Sequence, residues 1–364
     1  MSASVLENGS RSRSFQVTSG TKQGCVLAPT LFNIYFAAML RVAFKDNVNG
    51  IKLVSRTDTR LFHANNQRFQ AMTKISSSVL TQLLYADDCA LLASSHEELQ
   101  HIFDCFSSAA QRFGLTISVR KTEALYQAPP HKTYLPPAVV LDGKPLKMVD
   151  EFKYLGSIVD KQGSLSKEVT QRIAKASSAF GRLNKRLWKN SNIRLDTKIQ
   201  VYRAVVLSTL LYGCETWTLK RDDIKRLERF HQKSLRRIAK IRWFHGIANY
   251  EVLEKCKICS LEYFLDEARL RWVGHVIRME DGRIPKALLF GQLSHGKGSK
   301  GNHSSYTNKL KNTLRSCGIN PYSFEQHAKN RSTWRSLCKQ GLHAAELKRT
   351  EHLVAKRIRR HIFL

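Results

Sequence analysis

The sequence predicts an α+β fold: a first portion to about residue 160 with a small antiparallel sheet and helices, then an all-helical, strongly basic remainder. Three observations predict it. Short apolar runs of strand length alternate with helix-period stretches only in the first portion. Beyond it, apolar side chains recur every three or four residues with Lys and Arg between them. The charge is also divided: residues 1–150 hold 16 basic and 11 acidic side chains, whereas residues 151–364 hold 44 and 18.

In chain order, Gln16–Ala28 reads as an extended piece ending in a Gly-containing turn. Pro29 then opens a segment that is apolar on most faces to Phe44, a buried helix with Pro in its first turn. Val79–Tyr85 and Cys89–Ala93 are apolar runs separated by Ala86-Asp87-Asp88, the pattern of a β-hairpin with an aspartate-bearing turn. Ser95-His96-Glu97-Glu98 is a capping box, and Leu99, Phe103, Phe106, Ala110 and Phe113 form the stripe of the helix it starts. Gly114 ends that helix, and Leu115–Val119 reads as a further strand. A loop bracketed by Pro129, Pro130, Pro136 and Pro137 follows, then a short strand, Lys153–Val159, around Gly156.

Val169, Ile173, Ala176, Phe180, Leu183 and Leu187 make the next stripe, and the sequence sets Arg172, Lys175, Arg182 and Lys185 away from it. Ile224, Leu227, Leu235, Ile238 and Ile241 make another, again flanked by cations. Residues 294–305 form a Gly- and Lys-bearing flexible linker, and the tail is a basic helix.

With 60 Lys+Arg against 29 Asp+Glu, the net charge of +31 excludes an ordinary metabolic enzyme, and 42% hydrophobic residues exclude a disordered polybasic tail. The partner implied is a polyanion: nucleic acid, with an anionic membrane surface as the competing reading. The membrane reading lacks an interfacial apolar face or a lipidation motif, and the apolar window Ala204–Cys214 is too short to span a bilayer. The N-terminus has no secretory pattern and the eight cysteines no disulfide-framework spacing. An intracellular, reducing setting, cytoplasmic or nuclear, is expected.

The chemistry-bearing candidate is Tyr85-Ala86-Asp87-Asp88 at the hairpin tip. Adjacent carboxylates repel, so they occur where water solvates them or where a divalent cation uses them; Mg²⁺ is held by one or two carboxylates plus substrate phosphates. Around it stand, in order, Gly20-Thr21-Lys22-Gln23-Gly24 through Pro29, Gly114-Leu115 with Lys121-Thr122, and Tyr154-Leu155-Gly156-Ser157. This series resembles the reverse transcriptases of non-LTR (LINE-like) retrotransposons, the RTE type most closely. The likeness continues through LLYGCETWT (residues 210–218), LRWVGHVIRM (270–279) and Trp334-Arg335.

The resemblance implies roles. Asp87 and Asp88 would be catalytic Mg²⁺ ligands in a two-metal transfer of a nucleotide to a 3′-oxygen. Gln23, Gly24 and Tyr85 would face the incoming nucleotide. Lys121 would neutralise pyrophosphate, with a plain surface lysine as the alternative. Tyr154, Leu155 and Gly156 would grip the primer, although a structural strand pair explains them as well. RNA template and DNA primer or target would be the partners. The domains would be a partial palm over 1–160 (motifs B to E), a helical thumb and connection region over 161–293, the linker 294–305 and a basic helical region over 306–364.

The family also has a second aspartate-bearing strand, motif A, before the QG segment, and Glu7 is the one acid among residues 1–20. Fingers and an N-terminal endonuclease are likewise not found. The expectation is a 5′-truncated polymerase without activity of its own; the alternative is a non-catalytic nucleic-acid-binding protein derived from a retroelement. Cys256, Cys259 and His275 invite a zinc reading, which lacks a fourth ligand at suitable spacing. Trp217, Trp243, Trp272 and Trp334 stand among cations and are either base-stacking residues or core anchors, at least half of them the latter.

Overall fold

The computed structural model describes residues 2–17, 25–45, 49–55, 61–62, 76–128, 137–293 and 305–362. Mixed helices and small sheets make it an α+β chain, and its backbone divides into two compact units. One gathers residues 1–51, 80–124 and 136–148; the other gathers 52–79, 125–135 and 149–364. Gln23, Gly24, Pro129, Pro130, Pro136 and the linker up to residue 304 lie outside the described residues.

In the first unit, helix Ala28–Ala43 starts with Pro29 in its first turn and packs on helix His96–Arg112. Met39 and Ala43 meet Phe106, Ala109 and Ala110 in the core, with Cys89 and Leu91 of the hairpin against it. The expectation of a buried first helix needs correcting. Leu31, Ile34 and Val42 stay exposed because the Phe36–Met39–Ala43 side is the one that meets the core, and Tyr35 is half-exposed with its ring and hydroxyl on Phe113.

The cap of the second helix follows the sequence reading. Ser95 Oγ accepts the Glu98 amide at 3.2 Å, while the Glu98 carboxylate turns back to accept the Ser94 amide at 3.0 Å. The stripe Phe103, Phe106, Ala110 is buried, and Gly114 turns the chain at φ +65°.

Leu115–Val119 is not a strand. Its apolar side chains reach the core beside helix His96–Arg112 while its backbone takes no ladder; only Glu123–Ala124 pairs, in parallel with Lys147–Met148. Alternation there reflects side-chain burial on one side of an extended segment.

The second unit is mainly helical. Helix Ser166–Arg182 and helix Arg221–Ile238 bury Val169, Ala176, Phe180, Leu227 and Leu235 in a core with Trp188, Tyr202 and Leu210. A second core joins helix Leu261–Ile277 to Tyr306–Ser316 and Arg331–Ile362 through Leu270, Leu310, Phe324 and Trp334. Close approach there depends on Gly274: a Cβ at that position would lie 2.1 Å from Trp334 Nε1. The indole itself donates to the Leu270 carbonyl at 3.0 Å.

A buried polar cluster links the same helices. Arg269 donates to Asp266 Oδ1 at 3.1 Å and to Thr313 Oγ1 at 2.8 Å. Arg349 completes the cluster on Asp266 and on Glu346, whose carboxylate also accepts the Ser260 amide and hydroxyl at 2.6 and 2.7 Å. No helix among the described residues is long and apolar enough to cross a membrane.

Candidate functional site

Strands Gln82–Tyr85 and Asp88–Leu91 pair antiparallel with Tyr85 opposite Asp88, so Ala86 and Asp87 are the two residues of the turn. A two-residue connection requires positive φ at its first position or at both. Ala86 supplies it at φ +53°, a region that a residue with a Cβ rarely adopts. That conformation costs on the order of 1–3 kcal/mol, and residues held this way cluster at functional turns.

The consequence is a projecting pair of carboxylates. Asp87 and Asp88 are both exposed, and Tyr85 beside them is 66% exposed. Below the tip, Cys89 turns inward, and burial pushes its thiol up to about 12. The base of the hairpin is tied further by the Leu92 amide on the Thr81 carbonyl at 2.7 Å. The two strands pair with each other and, among the described residues, with no third strand.

The donor set offers two adjacent carboxylates, which suits a hard, oxygen-liganded cation that takes its other ligands from water or phosphate. No group of three or more His, Cys, Asp or Glu side chains able to hold a metal occurs among the described residues. Cys256, Cys259 and His275 therefore form no such cluster there. Burial pushes the Cys256 thiol up to about 11, away from the thiolate that zinc requires.

Lys121 lies in the same unit as the hairpin, exposed on a turn whose amide bonds to the Ser118 carbonyl at 3.0 Å. The segment expected as one strand around Gly156 is a hairpin instead, Glu151–Tyr154 against Ser157–Asp160, in the second unit. Its turn residues Leu155 and Gly156 have φ +47° and +82°, the pair of left-handed values of a type I′ turn.

That second turn is held from behind by a cluster the sequence did not reveal. Arg172, set away from the core by the sequence reading, is buried at 4% exposure against Glu168 at 1%, with Nε to Oε1 at 2.6 Å. The same guanidinium donates to the Gly156 carbonyl at 2.6 Å and to Ser157 Oγ at 3.2 Å. Glu168 Oε2 accepts the Ile158 amide at 2.7 Å. Tyr212 lies 4.4 Å from the Arg172 guanidinium at its ring centroid and donates its hydroxyl to the Leu155 carbonyl at 3.1 Å.

Lys175 adds a donor to Gly156 at 3.2 Å; burial, with the Arg172 and Lys153 cations nearby, holds its ammonium below the ordinary lysine range. Glu168 preceding Arg172 by one turn was the available signal, an i,i+4 ion pair on the edge of an apolar stripe.

The four tryptophans divide. Trp217 and Trp334 are core residues, Trp272 is half-buried beside His275, and Trp243 stands out in solvent.

The sequence is similar to known proteins. Residues 2–159 match the family described as reverse transcriptase (RNA-dependent DNA polymerase). The chain is 25% identical over 254 residues to the RNA-directed DNA polymerase from mobile element jockey of Drosophila funebris, covering 66% of this chain and 24% of that protein. It is 26% identical over 235 residues to a probable RNA-directed DNA polymerase from transposon X-element of Drosophila melanogaster, covering 63% and 22%. A transposon-derived protein of Caenorhabditis elegans is 28% identical over 224 residues, 58% of this chain and 76% of that protein. The chain thus spans about a quarter of the length of the polymerases it matches. Residues 2–159 are thus similar to reverse transcriptases, and the chain is similar to proteins encoded by non-LTR mobile elements.

Proposed function

We propose that this polypeptide binds RNA template and DNA primer or target, and that its Tyr85–Asp88 hairpin is the Mg²⁺-holding half of an RNA-directed DNA polymerase centre. The observation that carries the reading is the pair of exposed carboxylates on a strained two-residue turn, inside a segment matching the reverse transcriptase family. Asp87 and Asp88 would hold the cation, Tyr85 would border the nucleotide, and Lys121 would neutralise the leaving phosphates. When bound, Mg²⁺ supplies charge stabilisation to the attacking and leaving oxygens of an in-line displacement.

The residues of the chain do the rest. Gln23 and Gly24 would lie against base and sugar, and Tyr154, Leu155 and Gly156 would carry the primer strand. Arg172, Glu168 and Tyr212 keep that second turn in one conformation by binding its carbonyls and amide. In this reading residues 1–160 serve as the palm, 161–293 as thumb and connection, 294–305 as a linker and 306–364 as a basic arm. The relationship to the RTE type rests on the motif series from Gln23 to Ser157 and on the segments that continue it.

A polymerase centre with two metals needs a carboxylate from a second strand, and residues 1–20 offer only Glu7. Two adjacent aspartates alone hold Mg²⁺ weakly, and loss of one member of a catalytic unit commonly removes most of the rate. The 364 residues by themselves are therefore proposed to bind nucleic acid without extending a primer. Primer extension on poly(rA)/oligo(dT) with Mg²⁺ tests this. The parent chain and Asp87→Asn are expected to give the same background. Extension by the parent above that variant overturns the claim of catalytic silence.

A further inference from the structure

We infer that the exposed aromatic pair Trp243–Phe244, at the end of a cationic helical ridge, is a stacking site for unpaired bases of single-stranded nucleic acid. Trp243 is 90% and Phe244 62% exposed, whereas Trp217 and Trp334 are buried. Single exposed apolar side chains are ordinary, but two adjacent large rings form a contiguous apolar patch of the kind that marks an interaction site. The two rings are set nearly perpendicular, 80° apart with centroids at 5.9 Å, and His245 supports Phe244 at 4.7 Å and 88°, so Trp243 is the ring left most open.

The turn that carries them is rigid. Trp243–His245 is a single helical turn in which His245 Nδ1 accepts the Arg242 amide at 3.2 Å. The loop after it is pinned on both sides. Arg236 donates to the Ile247 carbonyl at 2.8 Å, and Arg357 donates to the Gly246 carbonyl at 3.1 Å while paired with Glu251 at 2.8 Å. Those two guanidiniums are used in holding the loop. Pre-positioned rings lose little freedom on binding, which favours a stacking function.

What leads up to the pair identifies the ligand. Along helix Arg221–Ile238 the exposed cations Arg221, Lys225, Arg229, Lys233 and Arg237 recur at every fourth residue, a row of neighbours on the helix surface. At 1.5 Å per residue the row is about 24 Å long. Exposed Lys240 and Arg242 continue it to the aromatic turn. A charged track beside stacking rings is the physical pattern of sequence-tolerant single-strand binding. A lipid surface would want a continuous apolar face, and an acidic protein would match the row of charge but bring no stack of flat bases to the rings.

This inference rests on the nucleic-acid-binding part of the proposed function and not on the hairpin carboxylates. Fluorescence anisotropy with 5′-fluorescein (dT)20 and with the (dT)20·(dA)20 duplex tests it on the full chain. Base–aromatic stacking of about 1–3 kcal/mol corresponds to about 5- to 150-fold in affinity. Trp243→Ala/Phe244→Ala should lose about tenfold or more on the single strand, with an unchanged salt slope and less than twofold change on duplex. Trp243→Tyr should recover most of the loss. Arg229→Gln/Lys233→Gln should instead lower the single-strand salt slope by about 1.4.

Single-strand affinity of the double aromatic variant within twofold of the parent overturns the inference, as does an equal loss on single strand and duplex. Absence of binding by the parent to either probe overturns the nucleic-acid reading as well.

Discussion

Removing the Arg172 guanidinium, by Arg172→Met, should be among the most damaging single changes in the second unit. The side chain is 4% exposed and its partner Glu168 is 1% exposed, so deletion leaves a carboxylate in a dry site with one remaining donor, the Ile158 amide. Breaking a buried pair by removing one partner costs about 3–5 kcal/mol. The Gly156 carbonyl keeps Lys175 at 3.2 Å but loses the shorter 2.6 Å bond, and Tyr212 loses a cation over its face, worth about 0.5–1 kcal/mol.

The double replacement Arg172→Met/Glu168→Gln should cost less than Arg172→Met, because no unpaired charge remains. Urea unfolding gives the global numbers, and native-state hydrogen exchange at the Ile158 amide reads the hairpin directly. A cost below about 1 kcal/mol for Arg172→Met, or equal costs for single and double variants, would refute the reasoning.

Other outcomes follow from the same contacts. His231 is fully buried between the Tyr202 hydroxyl at 2.8 Å and the Cys259 carbonyl, and burial holds its imidazole down at about 4 against 6.5. The unfolded chain takes up the proton first as pH falls. This group therefore contributes stability fully above 6.5 and loses it between 6.5 and about 4, about 3 kcal/mol in all. The pH dependence of urea stability in His231→Gln should be flatter than in the parent over that window; identical slopes would contradict the assignment.

Gly274→Ala should destabilise by about 1–3 kcal/mol, since the added carbon meets the Trp334 indole at 2.1 Å, and the thermal midpoint checks it. Ala86→Gly should strengthen the 82–91 hairpin by about 1 kcal/mol through relief of the positive φ, seen as slower exchange at the amides of the hydrogen-bonded pair Leu83 and Ala90.

Much of the helical part was legible because burial imposes a period. The Ser95 cap and the stripes through Phe106, Phe180 and Leu235 each depend on residues within one helix. The Tyr85–Asp88 hairpin was legible for a similar reason, since two apolar runs flank a turn residue pair. Readings that failed turn on partners distant in sequence. Arg172 looks like a solvated cation until the Gly156 carbonyl, 16 residues earlier, is brought to it. Leu115–Val119 alternates like a strand but finds a core and no neighbouring ladder. The exposure of helix Ala28–Ala43 depends on which surfaces meet it, and composition cannot state that. Trp243 and Trp334 sit in equally basic sequence, and only packing separates the solvent-facing ring from the buried one.

Asp87 and Asp88 are proposed to act together on a divalent cation at the hairpin tip. Titration of the full chain with Mn²⁺, read as paramagnetic broadening of backbone amide signals, tests it most directly. Broadening should begin at residues 85–90, be displaced by excess Mg²⁺ and be lost in Asp87→Asn/Asp88→Asn. Broadening that leaves 85–90 untouched, or that persists unchanged in the double variant, would contradict it.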